Sequence, residues 1–351
     1  MNAPDRAAIR LTQFSHGGGC GCKVAPAALA RILEKATHGF VPPALLVGTD
    51  TADDAAVYQI NASQAIVATT DFFTPIVDDA FHFGAIAATN ALSDVYAMGA
   101  TPLFALAIVG MPVDKLPVEI IRRILDGGQS ICAKAGIPVA GGHTIDALEP
   151  IYGLAAVGVV DPLNLKRNAG ALPGDALILA KPLGVGVYSA ALKKSRLSAE
   201  HYETLIDSTT RLNTPGIALG RMADVHALTD VTGFGLLGHL LGMCRTSRVG
   251  ASIEFDRLPL HPGTLELARD GFVTGASARN WQSYGEEVEL HPAIDDARRA
   301  LLTDPQTSGG LLAAVAPDAV RSVLEVFCAD GFANARVVGE CIAGPPRVSV
   351  R

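Results

Sequence analysis

A short N-terminal segment, His16-Gly17-Gly18-Gly19-Cys20-Gly21-Cys22-Lys23, concentrates more reactive chemistry than any other stretch of the chain. It is not a P-loop, which needs Gly-Lys followed by Ser or Thr; here Cys22 precedes Lys23 and Val24 follows it. Two thiols separated by one glycine can ligate a soft metal, but no matching Cys/His pair lies nearby, which argues against structural zinc. A Cys beside Lys points to a lowered thiol pKa and a reactive thiolate. The flanking glycines would give the segment the mobility of a closing lid. The bland alternative is a disordered tail with chance thiols.

A second set of candidates is acidic. Asp53-Asp54 precede an apolar run, Asp71 ends another in Thr69-Thr70-Asp71-Phe72-Phe73, and Asp230 ends a third in Leu228-Thr229-Asp230. Asp94 sits inside a helix-like run of small apolar residues, with Asn90 one turn before it on the same face. Carboxylates at the ends of buried strands are costly unless neutralised. Mg²⁺, a hard cation that takes carboxylate and phosphate oxygens, would neutralise them economically. Any one Asp is more simply a cap or turn former; Asp94 fits that explanation least, and the set is harder to dismiss. Three glycine-rich stretches, Gly141-Gly142-His143-Thr144, Thr232-Gly233-Phe234-Gly235 and Ser308-Gly309-Gly310, could offer backbone N–H groups to anions. Singly each is weak evidence.

Elements must hold these residues. Ala25–Ala36 carries apolar positions at helical spacing and Pro42-Pro43 punctuates its exit. Strands are expected over 55–60, 65–70, 103–109, a short one ending at Gly141-Gly142-His143, and 152–159. Helices are expected over 83–98 and 118–135. A boundary falls near 161–174, where Asp161-Pro162 and Leu172-Pro173-Gly174-Asp175 supply turn chemistry. Beyond it, strands are expected over 176–180, 227–231, 251–255, 311–315 and 335–338. The matching helices are 188–194, 209–222 with an interruption at Pro215, 236–244 and 319–328. The first two strands lie too close for a βαβ crossover. The pattern therefore favours α+β over a doubly wound sheet, with units over 1–48, 49–168 and 169–351.

Composition narrows the class. With 351 residues the chain suits about two domains. Lys plus Arg is 28 and Asp plus Glu 35, a net charge of −7 with no basic run, which disfavours nucleic-acid binding. The longest apolar stretches, such as 103–113, fall short of the ~20 residues a membrane span needs, and no secretory h-region opens the chain. Of six cysteines only Cys20 and Cys22 are neighbours, which fits a reduced, cytoplasmic protein rather than a disulfide framework. Cys132, Cys244, Cys328 and Cys341 are read as bystanders, and histidines outside the motifs, His239 among them, are left without a role. Glycine stands at 36 residues, an excess that calls for positive φ or close approach at many sites.

Taken together, the segment 16–23, Asp53 to Tyr58, Thr69 to Phe73, Ala87 to Asp94 with Met98-Gly99, Gly141 to His143, Thr229 to Gly238 and Asp304 to Leu312 resemble the selenophosphate synthetase (selenide, water dikinase) family in order, over nearly the whole chain. The resemblance implies two α+β domains like those of aminoimidazole ribonucleotide synthetase, with mixed sheets, a mobile glycine-rich N-terminal segment and a homodimer. It implies the reaction ATP + selenide + water → selenophosphate + AMP + orthophosphate, with Mg²⁺, and selenium arriving free or on a carrier protein. By position, Cys20 resembles the catalytic Cys and Lys23 the essential Lys that meets the phosphates. Asp54, Asp94 and Asp230 resemble the Mg²⁺ ligands. Thr51, Ala52, Asp53, Asp71, Asp94, Gly142, His143 and Thr144 resemble nucleotide-contacting positions. Cys22 matches a family Cys without an assigned need. Two other readings compete: another ATP-using enzyme of the superfamily, such as a thiamine-monophosphate kinase, which would lack the Gly-Cys-Gly-Cys-Lys segment; and a non-catalytic selenium or metal carrier, which would not need Asp54, Asp94 or Asp230.

Overall fold

The structure, a computed structural model, describes residues 9–33, 41–49 and 53–351. Thr51 and Ala52, expected at the nucleotide, lie outside the described residues.

The first half builds a six-stranded sheet from β1 (Leu45–Val47), β2 (Ala56–Asn61), β3 (Gln64–Phe73), β4 (Thr101–Met111), β5 (Val139–Asp146) and β6 (Ile151–Val160), in the order β1-β2-β3-β6-β4-β5. β2 and β3 form a hairpin closed by an Asx turn, in which the Asn61 side chain accepts from the Ser63 N–H. β4 and β5 are the parallel pair, and the connection between them is a helix, as parallel pairing requires. After α1 (Pro26–Leu33), the helices of this half are α2 (Ala80–Ala97) and α3 (Val118–Lys134). α2 opens on Asp79, whose carboxylate accepts from the His82 N–H. It is buried on nearly every side, which is possible because most of its residues are small and apolar. Its burial carries Asn90, Ser93 and Asp94 into the interior.

The second half builds a seven-stranded sheet from β7 (Ala176–Leu179), β8 (Val225–Asp230), β9 (Gly250–Ile253), β10 (Val288–Leu290), β11 (Leu311–Val315), β12 (Arg336–Ile342) and β13 (Val348–Val350), in the order β10-β13-β9-β12-β7-β11-β8. Its helices are α4 (Val185–Lys193), α5 (Ala199–Thr209), α6 (Pro215–Gly220), α7 (Gly235–Ser247), α8 (Thr264–Arg269), α9 (Gly275–Tyr284), α10 (Asp296–Leu302) and α11 (Val320–Ala329). The sheets are mixed, and the class is α+β, as the sequence pattern indicated.

Three local expectations need correction. The helix expected over 209–222 is split: α5 ends at Thr209, α6 starts at Pro215, and the residues between are not helical. Pro215 occupies the first turn of α6, the position where its missing N–H costs nothing. The Gly141-Gly142-His143 stretch is not a loop after a strand but the middle of β5. A Cβ on Gly142 would stand 2.2 Å from the Ala107 carbonyl oxygen, so the glycine is required by close approach to β4, at a register shift between Ala105 and Leu106. Residues 256–310, given no elements from sequence, hold three short helices and an edge strand.

Candidate active site

The glycine-rich segment and the acidic residues meet between the two halves. Cys20 is 1% exposed. Its backbone N–H donates to Thr307 Oγ1 at 3.0 Å and its thiol to Asn90 Oδ1 at 3.3 Å. Gly19 adopts φ +53°, and a Cβ there would stand 2.3 Å from Thr307 Oγ1; no other residue would fit. Asn90 also accepts from the Ser308 N–H at 2.7 Å and donates to Asp71 Oδ2 at 2.6 Å. Asp71 in turn holds the Lys23 ammonium at 2.9 Å. One buried amide thus links the thiol, the lysine's carboxylate and the 304–310 loop.

That loop is anchored by Asp304, which is fully buried and accepts from Gly186 N–H at 2.8 Å and Val187 N–H at 3.3 Å, in the first turn of α4. Burial nevertheless pushes its carboxyl up to about 7, the hydrogen bonds from Val187, Gly186 and Gln306 opposing it.

Beside Lys23 lies a cavity of about 370 Å³ lined by Asp53, Asp54, Asp71, Asp94, Asp230 and the α7 N-terminal residues. Each carboxylate leans on a hydroxyl or amide from another element. Thr69 donates to Asp94 at 2.6 Å, Thr229 to Asp54 at 3.0 Å, Ser93 to Asp230 at 2.5 Å, and the Asn168 N–H to Asp53 at 2.8 Å. Asp54 Oδ2 is buried without a hydrogen-bond partner. Burial and then mutual repulsion raise Asp54 and Asp94 well above the usual carboxylate range. Burial also raises Asp230, to about 6, against the hydrogen bond from Ser93 and the attraction of Lys23. Three carboxylates forced together, one with an orphaned buried oxygen, form a hard oxygen-donor set that fits a divalent cation. His239 lies within 4.8 Å of Asp54 and Asp230. Its Nε2 faces the Thr232 N–H at 3.1 Å and so acts as an acceptor, while burial and Lys23 hold its pKa down to about 3. With Nε2 accepting, the neutral ring carries its proton on Nδ1, and His239 stands with Asp54 and Asp230 as one group whose donor atoms could surround a cation.

The buried thiol near Lys23 in the fold is Cys20 rather than its chain neighbour Cys22; burial pushes the Cys20 thiol far up, and Lys23 pulls it back only in part. For Lys23 itself, burial disfavours the ammonium, but Cys20, Asp71 and Asp94 outweigh it and hold the pKa well above the usual range. A third of that side chain is solvent-accessible.

Gly142, His143 and Thr144 do not line this cavity; they lie on exposed β5, the edge of the first sheet. Asn90, Thr307, Ser308 and His239, on the other hand, belong to the site without having been singled out for it. For Asn90 the signal was its spacing to Asp94; for Thr307 and Ser308 it was their place in a glycine-rich loop. Nothing in sequence marked His239.

Comparison with known proteins identifies the family. Residues 52–160 match the AIR synthase related protein N-terminal domain and residues 173–351 its C-terminal domain. Selenide, water dikinase of Dechloromonas aromatica (strain RCB) is 60% identical over 97% of this chain and 98% of its own length. That of Paraburkholderia xenovorans (strain LB400) is 60% identical over 99% of each. Among solved structures, AaThiL complexed with AMPPCP and TMP superposes with a TM-score of 0.66 at 18% identity, over 93% of both chains, and shares the fold. With the Gly-Cys-Gly-Cys-Lys segment packed on the acidic cavity, and near-full-length identity at this level, the chain belongs to the selenide, water dikinase family.

Proposed function

We propose that the protein makes selenophosphate from selenide, ATP and water, releasing AMP and orthophosphate. The observation that carries this reading is the convergence of Cys20 and Lys23 on the Asp54–Asp94–Asp230 cluster. AMP formation breaks two phosphoanhydride bonds, so one phosphoryl group goes to selenium and the other to water. The triphosphate lies in the acidic cavity, and the fold neighbour AaThiL is a protein complexed with AMPPCP, an ATP analogue. Asp54, Asp94 and Asp230 would hold Mg²⁺, which would supply the charge neutralisation that phosphates need to approach carboxylates. Lys23, kept protonated and aimed by Asp71, contacts a phosphate oxygen. Cys20, neutral and dry, orients the selenium nucleophile beside it, and the packed segment 17–22 keeps water away from that position. His239 Nδ1–H offers a further neutral donor at the cavity wall.

The active form is a homodimer in this reading. Tyr58, Ile60, Phe72, Leu103, Leu106 and Ile145 are exposed by 38–58% on the first sheet, on the side away from α2. A partner copy seated there would cover them and bring its own Gly142, His143 and Thr144 to the nucleotide, which accounts for their distance from the cavity in one subunit. ³¹P NMR of protein with ATP, Mg²⁺ and selenide tests the reaction. Selenophosphate with AMP and orthophosphate is the expected outcome; ADP as end product, or no turnover, removes the reading.

A further inference from the structure

A second, larger cavity of about 710 Å³ lies along the glycine-rich segment. Its wall includes Cys22, Lys193, Lys194 and Arg279, and among the described residues no Asp or Glu lines it. The first turn of α9 also lines it, at Thr274, Gly275 and Ala276, adding the partial positive charge of a helix N-terminus. Lys23 lines both cavities, and the residues just before it, Gly17, Gly18, Gly21 and Cys22, line the larger one, so the two cavities share a wall at Lys23. Basic side chains hold the glycine-rich segment in place. Arg279 donates to the Gly21 carbonyl at 3.1 Å and Lys193 to the Ser15 carbonyl at 3.0 Å. Lys194 lies over the Phe272 ring at 5.5 Å.

We infer that this cavity is the vestibule through which selenium enters, as a hydroselenide-class monoanion, on its way to Cys20. The inference rests on the selenophosphate reading above. Hydrogen selenide is ionised at neutral pH, so its usable form is a small soft anion. A chain of net charge −7 repels such an ion at long range, and the acidic cavity repels it locally. A cationic vestibule that holds no carboxylate reverses that field at one place, and it is the place where the wall shared with the acidic cavity belongs to the segment bearing Cys20. The half-exposed Cys22 thiol adds a polarizable surface for selenium on that path. Nucleotide and selenium would then reach the shared wall from opposite sides, and bound ATP would not block the second substrate.

The test compares wild type with Lys193→Gln/Lys194→Gln and with the charge-keeping Lys193→Arg/Lys194→Arg. Two readouts are taken. The first needs no turnover: the rate of alkylation at Cys22, by peptide mass spectrometry, with anionic iodoacetate and with neutral iodoacetamide. The iodoacetate-to-iodoacetamide ratio is expected to fall about tenfold in the Gln pair and recover in the Arg pair. The second is selenide kinetics: kcat/KM for selenide falls about tenfold at low salt while KM for ATP stays within about twofold, again with recovery in the Arg pair. An unchanged alkylation ratio overturns the anion-selective vestibule. A fallen ratio with unchanged selenide kinetics overturns its role as the entry. A wild-type enzyme that makes no selenophosphate removes the reading under it instead, and the alkylation ratio still decides the cavity's selectivity.

Discussion

At Asp54 the requirements of binding and of folding oppose each other. One of its oxygens is buried without a partner, and Asp230 stands close enough to raise its pKa further. Replacing it by the neutral isostere removes the like-charge repulsion. Asp54→Asn should therefore stabilise the protein in EDTA at about pH 8 by roughly 1–3 kcal/mol in urea unfolding, while abolishing turnover. Added Mg²⁺ should raise the midpoint of the wild type and leave that of the variant in place; a variant no more stable than wild type in EDTA would show that the cluster is not strained. Cys20 makes the complementary case. Serine can donate to Asn90 as the thiol does, so Cys20→Ser should fold normally. Its selenide-dependent AMP formation should nevertheless fall by about 100-fold or more, because the hydroxyl lacks the soft sulfur surface. Full activity in that variant would remove Cys20 from the chemistry.

Elements explain why some of this was legible and some not. α2 could be read because its small apolar run is uninterrupted, and the one acid within it, Asp94, then had to matter. The strand end at Asp230 could be read because that residue closes an apolar run; Asp71, expected to end its strand, lies two residues inside β3, which runs on through Phe73. The geometry around Cys20 could not, since it depends on contacts between residues separated by hundreds of positions, Cys20 to Thr307 above all. The character of the Cys20 thiol was out of reach for the same reason: Lys23 is visible in sequence, while the burial that dominates is a property of the packed fold. The Gly141-Gly142 pair was misjudged because glycine needed for close strand approach and glycine needed for a turn look alike. The 304–310 loop leads to a pH prediction. The folded protein holds the proton on Asp304 more tightly than the unfolded chain does. Its contribution is thus complete below the ordinary carboxyl range, near about pH 4, and is lost as pH rises through about 7. Asp304→Asn keeps an acceptor for the α4 N–H groups and cannot titrate. The stability of wild type relative to this variant, from urea midpoints, should fall between about pH 5 and pH 8; a flat difference would mean that the carboxyl ionises as easily in the folded state as in the unfolded.

The whole molecule raises a question that one chain cannot answer by itself. The acidic cavity of one chain has its lysine and carboxylates but is not lined by Gly142, His143 and Thr144, and the sheet that bears these three presents an apolar face to solvent. If the homodimer proposed above forms, Leu106→Glu with Ile145→Glu should leave a monomer by light scattering, with loss of activity but retained helical and sheet signal, since neither side chain is in the core; a wild type already monomeric would remove the proposed dimer. A sharper version uses two dead proteins, Cys20→Ser and His143→Ala. If each site takes Cys20 from one subunit and His143 from the other, a mixed dimer contains one site with both residues mutated and one site with both intact. Random pairing makes about half of the dimers mixed, so co-expression should restore about a quarter of wild-type activity. If His143 serves the site of its own subunit, every site in every dimer lacks one residue and co-expression restores nothing. The two arrangements thus give different numbers from the same tube, and the answer decides whether two chains are needed to make one complete nucleotide site.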